Sequence, residues 1–527
     1  MNSGAPSIWM WWIFPVYLMI LLFISVASRR RTPTSNQYLN ASFSLPTWAV
    51  ALSFLAYNCG SIEILGMSAM AAQYGVQALH FYWIGGIPGM IFMALVVLPV
   101  YMRTGARSLP EYFEMRFGPG VRLLSACLSA VSTAAFSGAT LYGLADMLHV
   151  IVGWSLLSGT IVSASVVLVY VLLGGIRATV YTSVFQLCVL TGGLAPLLFL
   201  TVHFTSTTFA QRSAKWHLWR PLPLLSPHAT LDRFGVAVGL GFVISFAYWC
   251  TDFVMIQRAL AAKSFEGARK VPLFAGFGKM MIAFFIVLPG VAAPSLLGGT
   301  GSLSFDEVLP RLMKTVYGPA LLALGVAALL AGLMAGMAGN ISGFSALWTE
   351  EIYRPRFNPG QSERHYVRVG QLSMVACVLL ALAGAYATFC FRDLMEFLQL
   401  IVALFYAPVF AVVLAGAANR HLQSRGAIAG IVGGVLSGLA LQCSFWAGYV
   451  QFGSQMSANF YTALLEFSVA MAFCLFSAIP VSRESYPLNR RTVLDRGLAS
   501  VIRPSGTLIV LSTLLLCLCI YLNVLWW

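Results

Sequence analysis

Apolar runs of about 20 residues recur from one end of this chain to the other, and they leave few folds open. Each run is long enough to cross a bilayer as a helix. Lipid offers no water to backbone N–H and C=O groups, so a spanning segment must satisfy them internally. The strands of a membrane barrel are only about 10 residues long and alternate in polarity, whereas these runs are longer and uniformly apolar. Charge content agrees. Only 9% of the 527 residues are charged, against roughly 25% in a soluble domain, and mean hydropathy is +0.83. The expected protein is all-α, integral and multi-pass, in the cell membrane (inner or plasma), with the lipid bilayer as its solvent.

Length and flanking charge give about fourteen spans. They lie near 8–27, 45–72, 78–101, 121–147, 150–173, 180–203, 234–256, 270–296, 318–346, 365–388, 393–417, 425–447, 460–480 and 505–525. The first run lacks a positive leader region and a small-residue cleavage site, and Arg29-Arg30-Arg31 follows it. It reads as a retained helix with its N-terminus outside. Alternate loops then hold about 23 Lys/Arg inside and about 7 outside, as the positive-inside rule requires. Both termini are expected outside. The net charge of +14 is thereby a topology signal and implies no nucleic-acid partner. Two stretches look soluble: an outer loop 204–233 with Trp216 and Trp219, and an inner loop 349–368. The ten cysteines show no CxxC or Cys/His spacing, so neither a disulfide framework nor a metal site is implied. They read as small core residues.

Two spans look broken. Tyr57-Asn58-Cys59-Gly60-Ser61-Ile62-Glu63 places polar residues and a glycine at mid-depth of the second span. The run from Ser245 to Asp252 does the same in the seventh, five spans later. Interrupted helices at matching positions in two halves point to an inverted-repeat transporter with a midplane site. The competing reading is that these polar residues merely bridge helices.

The run from Tyr248 to Met281, YWCTDFVMIQRALAAKSFEGARKVPLFAGFGKMM, resembles the sodium/solute symporter family, which includes sodium–glucose, proline and sialic-acid carriers. Supporting runs are GMSAMAAQYG (66–75), SLPEYFEMRFG (108–118), GGIRATVYTSVFQ (174–186) and ALWTEEIY (346–353). The resemblance implies a LeuT-type inverted-repeat bundle of about 14 transmembrane helices. Residues 1–44 would hold an extra N-terminal helix and loop, 45–420 the ten-helix core, and 421–527 extra C-terminal helices.

The resemblance also places an ion site. The positions that hold sodium by backbone carbonyls match Ala56 and Cys59. Two hydroxyl positions match Ala335 and Gly336, and a third, used by members with a second sodium, matches Gly339. An acidic position beside the ion path matches Ser183. Sodium needs oxygen ligands to replace its water, and Ala and Gly offer none from their side chains. A shifted register would bring Asn340, Ser342 and Ser345 closer. The solute-lining positions match Glu63, Tyr82, Ser245, Tyr248, Lys279 and Gln399. Sugar carriers usually have Gln at the position of Glu63 and Glu at that of Tyr82, so the chain departs at both.

A carboxylate at the bilayer midplane normally faces a cavity or a partner. Glu63 has three readings: protonated and structural, paired with Lys279, or titrating during transport. Asp252 reads as a helix-end or paired charge, and Glu466 as a polar contact between helices. No P-loop, Ser/His/Asp constellation or histidine cluster is visible, so an enzyme is not expected and no cofactor is implied. The expected activity is alternating-access transport of a small polar organic solute, sugar-like or otherwise. Sodium coupling would be weakened or absent, with a proton or residual sodium as the driving ion, or with passive, facilitative transport. Two alternatives stay open: a conventional sodium symporter with relocated ligands, and a sensor that binds solute without moving it.

Overall fold

A computed structural model describes residues 8–29, 45–204, 216–219, 231–298, 304–388, 391, 393–419, 421–477 and 503–527. Within them the apolar runs form eleven membrane-length helices, or thirteen when each of two bent pairs counts as one span. In chain order the helices are α1 (Ile8–Arg29), α2 (Thr47–Asn58), α3 (Ile62–Leu79), α4 (Phe81–Thr104), α5 (Leu109–Phe117), α6 (Pro119–Val152), α7 (Leu156–Leu173) and α8 (Gly175–His203). Next come α9 (Gly235–Thr251), α10 (Phe253–Leu260), α11 (Phe265–Leu296), α12 (Val308–Val316), α13 (Pro319–Arg356) and α14 (Glu363–Thr388). The last four are α15 (Leu394–Ala418), α16 (Ser424–Trp446), α17 (Gln455–Ser477) and α18 (Gly506–Leu525).

Helix ends follow local chemistry. Ser108, Asp252, Ser264, Asp393 and Ser505 each cap a helix by accepting from a backbone N–H three residues on. Gly175 has φ of +62°, a conformation that suits glycine, and turns the chain between α7 and α8. The bends at the two broken spans are 54° and 53°. Burial separates core from periphery. The apolar windows of α15 and α13 are 78% and 72% buried, whereas those of α16 and α18 are 28% buried. The former pack inside the bundle, and the latter turn most of their surface toward lipid.

Several boundaries differ from the sequence reading. The second span runs on to Leu79. The inner loop expected from 349 starts only after Arg356, because α13 continues through Glu350 and Glu351. Those charges are neutralised where they stand: Arg122 bridges Glu351 at 2.8 Å and Arg354 bridges Glu350 at 3.1 Å. Four cysteines read as core residues, Cys127, Cys188, Cys443 and Cys517, are exposed at the bundle surface. Glu466 is fully buried, but neither carboxyl oxygen has a hydrogen-bond partner among the described residues, so the expected polar contact is not made. It packs against Gly438 of α16.

Short elements tie the bundle together at both faces. On the face expected to be inner, Arg116 of α5 donates to the carbonyls of Gly416, Asn419 and Leu422 at 2.8–3.2 Å, gripping the end of α15. On the face expected to be outer, Trp219 packs on His80 and Trp527, and Trp216 on Trp526. The rest of the outer loop, 205–215 and 220–230, lies outside the described residues.

Candidate functional site

Residues beside the first break and the stretch of α9 that precedes the second line one small cavity. α2 stops at Asn58, three residues intervene, and α3 opens with a wide turn that carries Glu63. The second break is narrower than the expected Ser245–Asp252. Helix α9 is intact to Thr251, and only Asp252 is extended. Its carboxylate accepts from the Met255 N–H at 2.7 Å, capping α10, and from the Tyr406 hydroxyl at 2.9 Å. A buried carboxylate is thus matched by a helix N-terminus and a phenol, with the buried Arg258 adding a charge interaction.

Glu63 and Lys279 form a buried ion pair, their side chains 6% and 4% exposed. Lys279 also donates to the Asn58 side-chain carbonyl, and Tyr82 donates its hydroxyl to the other Glu63 oxygen. The ammonium lies 4.9 Å from the ring centre of Tyr82 and 5.3 Å from that of Trp249. Both charges are therefore met within the membrane: carboxylate by ammonium and phenol, ammonium by two oxygens and two aromatic faces. Asn58 continues the chain by donating to the Tyr248 hydroxyl at 3.4 Å. Tyr248 packs on Phe136, Trp249 and Tyr406.

Of the solute-lining candidates, Glu63, Ser245, Tyr248, Lys279 and Gln399 line the cavity, and Tyr82 reaches it through Glu63. Gln399 has a buried carbonyl oxygen with no hydrogen-bond partner among the described residues. The cavity holds about 50 Å³, far below the roughly 300 Å³ at which ligand pockets begin. A cavity of this size is too small for a sugar-sized solute, which enters only if its walls part. Asn58 and Trp249 were not among the sequence candidates for this role. Both stand inside the motifs already singled out, but only the fold shows that they meet Lys279.

The candidate ion positions also converge. Ala56, Cys59, Ser183 and Ala335 are buried, as are Gly336 and Gly339. Around Gly336 there is little room. A Cβ placed on Gly336 would stand 3.2 Å from Gly60 Cα, and one on Gly60 3.4 Å from Gly336 Cα. A Cβ on Gly332 would stand 2.8 Å from the Cys59 carbonyl oxygen. The break after α2 and helix α13 thus meet backbone to backbone beside the place where the two hydroxyls are expected. At Gly339 a Cβ would meet Tyr57 Cε2 at 2.6 Å and Arg258 Nη2 at 2.8 Å. Nearby oxygens are engaged elsewhere. Asn340 accepts from Tyr57 at 2.7 Å, Ser342 donates to the Gly339 carbonyl at 3.0 Å, and Ser345 donates to the Gly370 carbonyl at 2.7 Å. Ala335, Gly336 and Gly339 carry no side-chain oxygen, whereas the buried Ser183 hydroxyl has no hydrogen-bond partner among the described residues.

Comparison with known proteins places this arrangement. The profile of the sodium:solute symporter family matches residues 38–434. A sodium/glucose cotransporter of Vibrio parahaemolyticus is 28% identical over 82% of this chain and 84% of its own length. Sodium/glucose cotransporter 2 of Rattus norvegicus is 26% identical over 91% and 79%, and sodium/myo-inositol cotransporter 2 of the same species 24% over 81% and 69%. Among solved structures, a substrate-bound, outward-open Na+-coupled sialic acid symporter superposes with a TM-score of 0.73 at 18% identity, covering 90% of this chain and 98% of its own. Mhp1, a nucleobase-cation-symport-1 transporter, gives 0.51 at 15% identity over 85% and 95%. These neighbours fix the fold as a LeuT-type bundle.

Proposed function

The chain belongs to the sodium:solute symporter family, and from that premise we propose that it moves a small polar organic solute across the membrane by alternating access, with sodium coupling weakened or absent. The relatives named for glucose and myo-inositol support a sugar-like solute. Glu63, Tyr82, Ser245, Tyr248, Lys279 and Gln399 would bind or gate it. Hydroxyl groups suit this cavity: Gln399 offers an acceptor, and Glu63 and Lys279 offer one of each kind once they part.

The observation that carries the coupling claim is the pairing of Ala335 and Gly336 with the close approach of Gly336 to Gly60. A desolvated alkali ion at that place would have backbone carbonyls and no hydroxyls. The alternative with relocated ligands would have to bring in Asn340, Ser342 or Ser345, each already held in a hydrogen bond. With sodium binding weak, the driving force would be a proton gradient, or the solute's own gradient.

Proteoliposomes given labelled glucose or myo-inositol, with sodium or choline outside and with or without a pH gradient, test the reading. The expected result is uptake that changes less than about twofold between sodium and choline. Uptake that collapses in choline would overturn the coupling claim and leave transport intact. Binding with no flux in any condition would favour the sensor.

A further inference from the structure

Arg258 of α10 is a cation sealed inside the bundle, 1% exposed, and it does not line the solute cavity. It lies across α2 and α13. Its Nη1 donates to the Ser53 hydroxyl and, at 3.3 Å, to the Ser53 carbonyl. The guanidinium carbon sits 4.9 Å from the centre of the Tyr57 ring. On the α13 side, a Cβ placed on Gly339 would stand 2.8 Å from Nη2. Nε and Nη2 have no hydrogen-bond partner among the described residues. Burying a charge with donors left over is costly. The aromatic face, the two Ser53 oxygens and the Asp252 charge offset that cost.

These neighbours put the guanidinium beside the ion positions. Ser53 precedes Ala56 by about one turn of α2, and Gly339 follows Gly336 by about one turn of α13. Tyr57, whose ring lies under the guanidinium, also brings its carbonyl oxygen to 3.7 Å from a Cβ placed on Gly336. Gly339 itself matches the third hydroxyl position. Gln257-Arg258 belongs to the run that resembles the family, so the arginine alone does not set this chain apart. Gly339 does. A side chain there would press its Cβ on Nη2 and, at 2.2 Å, on Tyr57 Cδ2. With any other residue at 339, the guanidinium and the ring would have to move away.

We propose that Arg258 is the resident cation of the ion site: a positive charge built into the chain stands between α2 and α13, in place of an exchangeable sodium. A second cation within about one turn, roughly 5 Å, of this fixed charge is repelled by it. The resident charge cannot leave down a gradient. An arginine also keeps its proton, so neither sodium nor a proton is exchanged at this place. The inference rests on the proposed loss of sodium coupling and gives it a cause beyond the missing hydroxyls.

Melting of the full-length protein in detergent, followed by tryptophan fluorescence in choline, sodium or guanidinium chloride at equal ionic strength, tests it without any flux. Wild type and Arg258→Lys, which keeps the charge, should melt at the same temperature in choline and in sodium. Arg258→Ala vacates the site and frees the Ser53 oxygens. Sodium should then raise its melting temperature over choline by about 2–4 °C, as for a cation at several times its dissociation constant. Guanidinium, which returns the missing group, should do at least as well. If Arg258→Ala does not fold, Arg258→Gln takes its place with the same expectation. A neutral variant that gains from guanidinium but not from sodium would show that the shape of the side chain is required and not its charge, and the proposal would fall. It would fall equally if neither cation helps, or if Arg258→Lys gains from sodium as the neutral variant does. A wild type that itself gains from sodium would remove the coupling claim as well, whereas failure in the variants alone removes only this inference.

Discussion

Lys279→Met is the perturbation with the largest consequence. The substitution keeps an unbranched side chain only one atom shorter and removes its charge. Glu63 is left with the Tyr82 hydroxyl alone, at 6% side-chain exposure. Stranding one partner of a buried pair costs about 3–5 kcal/mol. Solvent screening does not reduce this figure appreciably, because both side chains are almost fully enclosed. Glu63→Gln strands the ammonium instead; it keeps Asn58 and two aromatic faces, so its cost should fall at the lower end of that range. Removing both charges leaves nothing stranded. The double variant should then be far more stable than the sum of the singles, with a coupling energy of about 2–3 kcal/mol, near the upper end for residues in contact. Unfolding in mixed micelles followed by tryptophan fluorescence gives the four free energies. If the two costs add within about 0.5 kcal/mol, the charges do not depend on each other and the account of this site is wrong.

Two further outcomes follow from other parts of the molecule. Gly339→Ala should destabilise the protein by about 1–3 kcal/mol, the usual cost of overpacking, since its Cβ would press on Tyr57 and Arg258; an unchanged melting temperature would show that this corner is loose. His80 lies at the turn between α3 and α4, with Nε2 hydrogen-bonded to the Leu218 carbonyl at 2.8 Å, so Nε2 carries the hydrogen. Burial pushes its pKa down to about 4, from about 6.5 in an unfolded chain. The unfolded state therefore binds the extra proton first, and stability falls as pH drops from about 6.5 to about 4, by on the order of 3 kcal/mol. His80→Gln should flatten the stability profile in that window, and a slope that survives would place its origin elsewhere.

The broken spans were legible because lipid makes polarity conspicuous: Asn58, Ser61 and Glu63 inside one apolar run have no inexpensive explanation. Span ends were less so. Glu350 and Glu351 read as loop residues, yet α13 runs through them, because Arg122 and Arg354 arrive from elsewhere in space. The same limit hid the site's wiring. Lys279 and Glu63 lie 216 positions apart, and no periodicity pairs them. Trp249 and Asn58 are visible as residues, but their roles arise only when α2, α9 and α11 come together. The cap made by Asp252 is a local three-residue pattern; its spacing to Met255 could have been read in advance.

Arg116 fastens the short helix α5 to the last carbonyls of α15, and Arg122, at the start of α6, holds Glu351 near the end of α13. Seen as a machine, these ends of α13 and α15 are harnessed to one handle. When either swings, the α5–α6 corner must follow or let go, so a mouth at this face would open by releasing these arginines in turn and not by a smooth parting of walls.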